Sequence, residues 1–153
     1  MKKKSLIEIP DSERSAEEWA LSEILRCADF LNASLNEALK PSGISFTQYS
    51  VLRILRAEED GVASSSIGGQ MTTHDSDVTR LVDRLVKRGL VTRQRDAADR
   101  RVVKVRLTPA GKELVDRLNG PTLALIERRF AGIKPKRVRR LIEVLQQLLN
   151  PSN

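Results

Sequence analysis

The sequence predicts a mainly α-helical protein with a small β-hairpin, an α+β class, built as one domain. Apolar residues recur at helical spacing in several segments, whereas two short runs between residues 90 and 107 fit strands on either side of a charged turn. A length of 153 residues favours one folding unit, and 40% hydrophobic with 31% charged residues is an ordinary globular composition.

The first segments are a polar arm and a long helix. Residues 1–14 have no apolar period, so we expect a flexible N-terminal arm, and the domain is predicted to span residues 15–153. Helical spacing of apolar side chains predicts a helix over about 15–40, which the sequence Pro41-Ser42-Gly43 stops.

Two further helices are predicted before residue 72. Ser45-Phe46-Thr47-Gln48 has the form of a capping box, and the helix that it opens ends near Gly61. In the small-residue stretch 62–71, Gly68 and Gly69 each weaken a helix by about 1 kcal/mol relative to alanine. A short helix there needs tertiary support.

The next helix has the most regular pattern. Capping residues at 72–76 precede apolar residues at Val78, Leu81, Val82 and Leu85, a pattern that runs up to Gly89. The opposite face is polar and charged and consists of Ser76, Asp77, Thr79, Arg80, Asp83, Arg84, Lys87 and Arg88.

Residues 90–95 and 102–107 are predicted strands around a charged turn. Short helix, tight turn, amphipathic helix and hairpin is the order of a winged helix-turn-helix, here over about residues 45–108. In that fold the second helix enters the DNA major groove and the hairpin reaches outward.

The C-terminal part is predicted to be helical over about 109–150. Thr108 before Pro109 is typical of a helix start, and a last helix begins near Pro135. Gly120-Pro121 is expected to kink or break the helix between them.

The charge distribution favours a nucleic-acid partner. Residues 80–106 contain ten basic and three acidic residues, a net +7 that equals the charge of the whole chain, whose pI is near 10.0. A second basic run at 134–140 has three interpretations: a solvated surface, a site for an acidic effector, or a partner for acidic residues of another subunit.

The polar face of the regular helix supplies candidate DNA contacts. Arg80 in its first turns can pair bidentately with guanine, and Asp77 is expected to cap the helix or orient Arg80. Arg84 and Lys87 lie further along, toward phosphates. The candidates in and before this helix are Thr73, His74, Ser76, Asp77, Thr79, Arg80, Arg84 and Lys87.

Four motifs resemble the MarR-type transcriptional regulators. They are DVTRLVDRL at residues 77–85, RGLV at 88–91, DRR at 99–101 and LTPAG at 107–111. The resemblance is specific over about residues 45–115. It implies an obligate homodimer whose flanking helices, about 15–40 and 109–150, interleave.

The resemblance also implies function. A wing arginine near the minor groove falls on Arg100 or Arg101. Trp19 and Tyr49 are most simply core or dimer contacts, but the aromatic or phenolic effectors of the family make them candidates for effector binding. We therefore expect a sequence-specific repressor of double-stranded DNA that binds a pseudo-palindrome as a homodimer and is released by a small effector. The alternatives are an architectural or protein-interaction module that binds without sequence choice, and a redox sensor acting through Cys27.

Other classes are not expected. The sequence has no nucleophile–base pair, no glycine-rich phosphate loop and no metal-ligand spacing, because the donors around His74 diverge around a helix turn. We thus expect neither an enzyme nor a cofactor. The sequence has no run of eighteen apolar residues and no signal-peptide core, so we expect no membrane partner. A single cysteine, which cannot form an intrachain disulfide, agrees with a cytoplasmic protein. This residue, Cys27, is most simply a buried small side chain.

Overall fold

The computed structural model describes residues 15–71 and 77–150. Backbone contacts divide the chain into two compact units, one ending at Phe46 and the other beginning at Thr47. The predicted flexible arm, residues 1–14, lies outside the described residues.

The first unit consists of a long helix and its stop. Helix α1 spans Ala16–Leu39 and a 3₁₀ turn follows at Lys40–Ser42. Ser15 caps α1 because its hydroxyl accepts from the Glu18 N–H at 3.2 Å, while the Glu18 carboxylate accepts from the Ser15 N–H at 3.0 Å. Gly43, at φ +68°, has the left-handed conformation that ends the turn. The predicted first helix is confirmed.

The second unit contains the remaining helices and the sheet. Its helices, within the described residues, are α2 (Phe46–Ala57), α3 (Ser64–Gln70), α4 (Val78–Lys87), α5 (Pro109–Phe130) and α6 (Pro135–Leu149). Helix α2 ends earlier than predicted, and Gly61 instead has φ +79° in the turn before the sheet. The two-glycine helix α3 does form, and its Ile67 is fully buried, which supplies the expected tertiary support.

The sheet has three antiparallel strands in the order β1-β3-β2. Strands β2 (Val91–Arg95) and β3 (Val103–Leu107) form the predicted hairpin, with Val91 opposite Leu107. Strand β1, Val62–Ala63, pairs with the other edge of β3. The prediction of two strands was wrong in this respect, because two residues are too few to show a strand pattern.

The core of the second unit draws on helices α2 to α5 and all three strands. In α4 the buried residues are Leu81, Val82 and Leu85, as the helical spacing predicted. The large side chains that are at most 2% exposed in this unit are Tyr49, Val51, Leu52, Ile67, Leu81, Val82, Leu85, Val91, Val105 and Val115.

Helix α5 begins directly at the base of the hairpin. The Thr108 hydroxyl accepts from the Gly111 N–H at 3.0 Å and donates to the Gly89 carbonyl at 2.6 Å, and the Thr108 N–H donates to the Leu90 carbonyl at 3.1 Å. This confirms the predicted helix start and ties α5 to the sheet.

The same helix continues through Pro121, so of the kink or break predicted at Gly120-Pro121 the break is wrong. Proline removes one helical hydrogen bond, and its ring clashes with the Cβ of the preceding residue when that residue is helical. Gly120 has no Cβ, which relieves that second conflict.

Within the described residues, no helix is long and apolar enough to cross a membrane.

Candidate DNA-binding interface

The interface is built on the first turn of α4. Asp77 is the N-cap: its Oδ1 accepts from the Arg80 N–H at 3.1 Å, and its Oδ2 lies 3.0 Å from Arg80 Nε. The Arg80 side chain is 82% exposed. One carboxylate therefore closes the helix start and also orients the guanidinium, as the sequence favoured.

The rest of the polar face of α4 is also exposed. Thr79, Arg84 and Lys87 all lie on this surface. Arg84 and Lys87 occupy the last turn, where the helix dipole favours positive charge. The face thus combines an oriented arginine at one end with cations suited to phosphates at the other.

The wing, which comprises β2, β3 and the loop 96–102, is organised by Asp96. Its Oδ1 accepts from the N–H groups of Ala98 and Asp99 at 2.8 and 3.1 Å, and its Oδ2 lies 2.6 Å from Lys104 Nζ. The hydrogen bond from Lys104, followed by those from the backbone, lowers the pKa of Asp96 to about 2. The loop is therefore a fixed turn built around an ionised carboxylate at neutral pH.

Asp99 plays a similar part at the tip of the wing. Its Oδ1 accepts from the Arg101 N–H at 3.0 Å and from Arg101 Nε at 3.2 Å. The Arg101 side chain is 92% exposed, and Arg100 is exposed beside it. Both predicted wing arginines stand at the outer end of the hairpin.

A link between the wing and α4 escaped the sequence analysis. Arg93 in β2 forms an ion pair with Asp83 and donates through Nη2 to the Thr79 carbonyl at 3.1 Å. Arg93 thus fixes the position of the wing relative to α4. The only sequence signal was an acidic residue on the basic face of the predicted helix.

The alternating cations of β3 are held by the protein itself. Lys104 pairs with Asp96, and Arg106 Nε donates to the Asp60 carbonyl at 3.0 Å. The structure gives these two side chains roles in the wing turn and in the turn before β1.

Three predicted DNA contacts, Thr73, His74 and Ser76, lie outside the described residues. The structure brings together the others: Asp77, Thr79, Arg80, Arg84 and Lys87 on α4, and Arg100 and Arg101 on the wing.

The predicted effector residues differ in accessibility. Trp19 on α1 is 44% exposed, whereas Tyr49 in α2 is 1% exposed and its hydroxyl donates to Asn119 Oδ1 at 3.3 Å. Beside Asn119, a cleft of about 320 Å³ lies between α2 and α5. There Arg56 Nε lies 2.8 Å from Asp116 Oδ1, and its hydrogen bond lowers the pKa of Asp116.

The candidate redox residue, Cys27, is exposed in the single chain. The expectation that it is a buried small side chain was therefore wrong for this chain. It lies on the exposed surface of α1, one position before the helical stripe on which the expectation was based.

A capped helix that exposes an oriented arginine, joined to a three-stranded sheet with a charged outer loop, defines a winged helix-turn-helix of the DNA-binding class. The family model described as "MarR family" matches residues 44–103. The HTH-type transcriptional repressor IacR of Pseudomonas putida is 31% identical over 117 residues, which cover 74% of this chain and 67% of IacR.

Solved structures agree with this match. The MarR transcription factor from Planctomyces limnophilus is 34% identical, with a TM-score of 0.65 covering 87% of this chain and 97% of that one. CouR from Rhodococcus jostii RHA1, bound to p-coumaroyl-CoA, is 28% identical, with a TM-score of 0.79 covering 92% of this chain and 99% of CouR. The chain belongs to the MarR family of transcriptional regulators. These relatives are regulators and not enzymes, and both the fold class and the resemblance predicted from the sequence are confirmed.

Proposed function

We propose that this regulator is a repressor that binds a pseudo-palindromic operator as a homodimer and leaves it when a small aromatic effector binds. The observation that carries the proposal is the Asp77-oriented Arg80 on an exposed helix start. An arginine held in one direction can recognise guanine O6 and N7 bidentately, whereas a freely rotating cation mainly contacts phosphates.

The wing supports the same proposal. Arg100 and Arg101 follow a turn that Asp96 fixes, and Arg93 ties that hairpin to α4. Because α4 and the wing are held at a constant separation, they can contact a major groove and the adjacent minor groove of one duplex. We assign Arg80 to base recognition and the wing arginines to the minor groove.

Exposed apolar helices support a homodimer. Helix α6 has no buried residue, although it carries an apolar stripe at helical spacing, and Leu148 and Leu149 are 62% and 79% exposed. The stripe consists of Val138, Leu141, Ile142, Leu145, Leu148 and Leu149. A stripe of this size on one chain is typical of an interface, and we assign it to a second copy.

An aromatic effector is supported by the ligand of CouR, p-coumaroyl-CoA, and by the accessible candidate residue Trp19, whereas the other candidate, Tyr49, is buried. Trp19 is half exposed, and it is the only tryptophan in the sequence. Titration with p-coumaric acid or p-coumaroyl-CoA is therefore expected to change tryptophan fluorescence. An effector that couples by about 1–3 kcal/mol would weaken operator binding roughly 5- to 150-fold.

Selection of duplexes from a random pool at physiological salt tests the DNA proposal. We expect a two-fold symmetric motif with half-sites about one helical turn, roughly 10 base pairs, apart. Arg80→Ala should cost about 1–3 kcal/mol and relax the sequence preference, whereas Arg101→Ala should weaken all duplexes similarly.

Lys40→Ala is the matched control, because it removes one exposed charge outside α4 and the wing. It should leave binding unchanged. An Arg80→Ala variant that keeps the full sequence preference would refute the base-recognition role. Salt-sensitive binding without any motif would favour the architectural alternative.

A further inference from the structure

A second basic surface lies at the end of α5 and the start of α6. Its cations are Arg128, Arg129, Lys134, Lys136, Arg137, Arg139 and Arg140, and all of them are exposed. Residues 128–140, which we call the distal basic surface, contain no acidic residue and carry a net charge of +7, as much as residues 80–106. The residues outside these two ranges therefore have a net charge of −7.

This concentration of charge works against the stability of α6. Its first turn has no acidic residue, and the positive end of the helix dipole repels Lys136 and Arg137. Lys136 is also three and four positions from Arg139 and Arg140, a spacing at which like charges destabilise a helix. Local rules are broken in this way mainly where a surface has a function.

The cations do not share a side of α6 with the proposed dimer contact. At about 100° per residue, Lys136, Arg139 and Arg140 centre on the side opposite the apolar stripe. If the stripe faces a second copy, these three cations face away from it. Arg140 also contacts Glu143 on the same side of α6 at 3.0 Å, but this pair is exposed, and exposed ion pairs contribute little stability. The three cations are therefore available to a partner outside the dimer.

The distal basic surface is also separated from α4 and the wing. Helix α5 starts at the base of the wing, and Arg128 follows after twenty residues, or about 30 Å of helix. The wing tip lies at the other end of β3 from the start of α5. The two basic surfaces thus belong to different parts of the second unit.

We infer that the distal basic surface binds the phosphate backbone of a second DNA segment, so that one dimer joins two duplexes. Five of its seven cations are arginines, whose planar guanidinium can donate to two phosphate oxygens at once. Its single aromatic residue, Phe130, is partly buried, so the surface has few of the anchors typical of protein partners. The inference rests on the proposed action of the protein on DNA.

Energy transfer between two populations of duplex tests this inference. The full chain is mixed with two populations of duplex, one carrying a donor label and the other an acceptor label, whose sequences are unrelated to the operator. Each duplex has about 30 base pairs, which is long enough for the two DNA-binding surfaces of one dimer. Anisotropy of one label reports binding to a single duplex, and energy transfer reports bridging. Replacing Lys136, Arg139 and Arg140 by Gln should reduce bridging at least about tenfold, because about three phosphate contacts are lost.

Two controls separate position from charge. Lys40→Gln with Lys112→Gln and Arg117→Gln removes the same charge from exposed positions outside both basic surfaces and should leave bridging intact. Lys136→Arg with Arg139→Lys and Arg140→Lys keeps the charge in place and should also bridge.

Each remaining outcome would contradict the inference. Single-duplex binding without bridging, or equal bridging by the wild type and the Gln variant, would overturn it and leave the proposed function standing. Absence of duplex binding by every variant would also overturn it, and the duplex selection described above decides the proposed function independently. Capture of phosphatidylserine vesicles through the same three cations, without bridging, would assign the surface to a membrane instead.

Discussion

The junction between the wing and α5 gives a prediction whose size follows from the structure. A Cβ on Gly111 would lie 2.0 Å from the Leu90 carbonyl oxygen and 3.2 Å from Leu107 Cδ2. Ordinary contacts between carbon and carbonyl oxygen are about 3.3–3.6 Å, so Gly111→Ala must move backbone by more than about 1 Å. Overpacking on this scale costs about 2–3 kcal/mol, and helix propensity returns about 1 kcal/mol.

We therefore expect Gly111→Ala to lose about 1–2 kcal/mol, which for a chain of this size lowers Tm by about 2–8 °C. Thermal unfolding at one fixed protein concentration measures this loss. Gly69→Ala is the matched control, because it is a helical glycine with no atom within 4 Å of the added Cβ. That variant should gain about 0.4–1 kcal/mol. Equal stabilisation by both substitutions would refute the close approach of α5 to Leu90.

Three further predictions concern the wing. A double-mutant cycle of Arg93→Ala and Asp83→Ala should give a coupling of about 0.2–1 kcal/mol in unfolding, since the pair is partly exposed, and either variant should weaken operator binding. Because the pKa of Asp96 is lowered from its usual 3.8 to about 2, its stabilising effect is complete above about pH 5 and is lost as the pH falls through about 2. Carboxyl NMR titration should give a midpoint nearer 3.8 in Lys104→Met; an unchanged midpoint would contradict the ion pair. Thr108→Ala should cost about 1 kcal/mol in chemical denaturation, and Thr108→Ser should restore most of it.

Local signals in the sequence were sufficient for the elements that carry the site. The buried stripe of α4 follows from helical spacing, and the capping roles of Asp77 and Thr108 follow from short side chains that reach nearby backbone N–H groups. The hairpin follows from two apolar runs around a polar turn. All of these interactions join residues within a few positions or within adjacent strands.

What the sequence missed depends on contacts between distant residues. Strand β1 exists because Val62 and Ala63 pair with β3 about forty residues later, and Arg106 reaches back 46 positions to Asp60. No local pattern reports such pairs. The break predicted at Pro121 was likewise based on the proline alone. The preceding residue, Gly120, has no Cβ to clash with the proline ring, which removes part of the steric cost of continuing the helix.

The two basic surfaces differ in how their charges are held. On α4 and the wing, four acidic residues each contact a cation: Asp77 with Arg80, Asp83 with Arg93, Asp96 with Lys104, and Asp99 with Arg101. The distal basic surface has no acidic residue within it, and its Arg140 contacts Glu143, which lies three positions further along α6, at 3.0 Å. Acidic groups lower the general attraction to phosphates, but they fix the direction of the cations that they contact.

A carboxylate that fixes an arginine suits that arginine to base recognition, whereas a dense run of cations is suited to backbone attraction. This reasoning fixes the sign of the effect of Asp77→Asn, which keeps a helix cap but releases the Arg80 side chain. Because a negative charge is removed, binding to unrelated duplexes should strengthen, while the preference for the operator over them should fall. Competition binding with both duplexes measures the two changes separately. Retained preference alongside stronger general binding would mean that Asp77 serves only to cap α4.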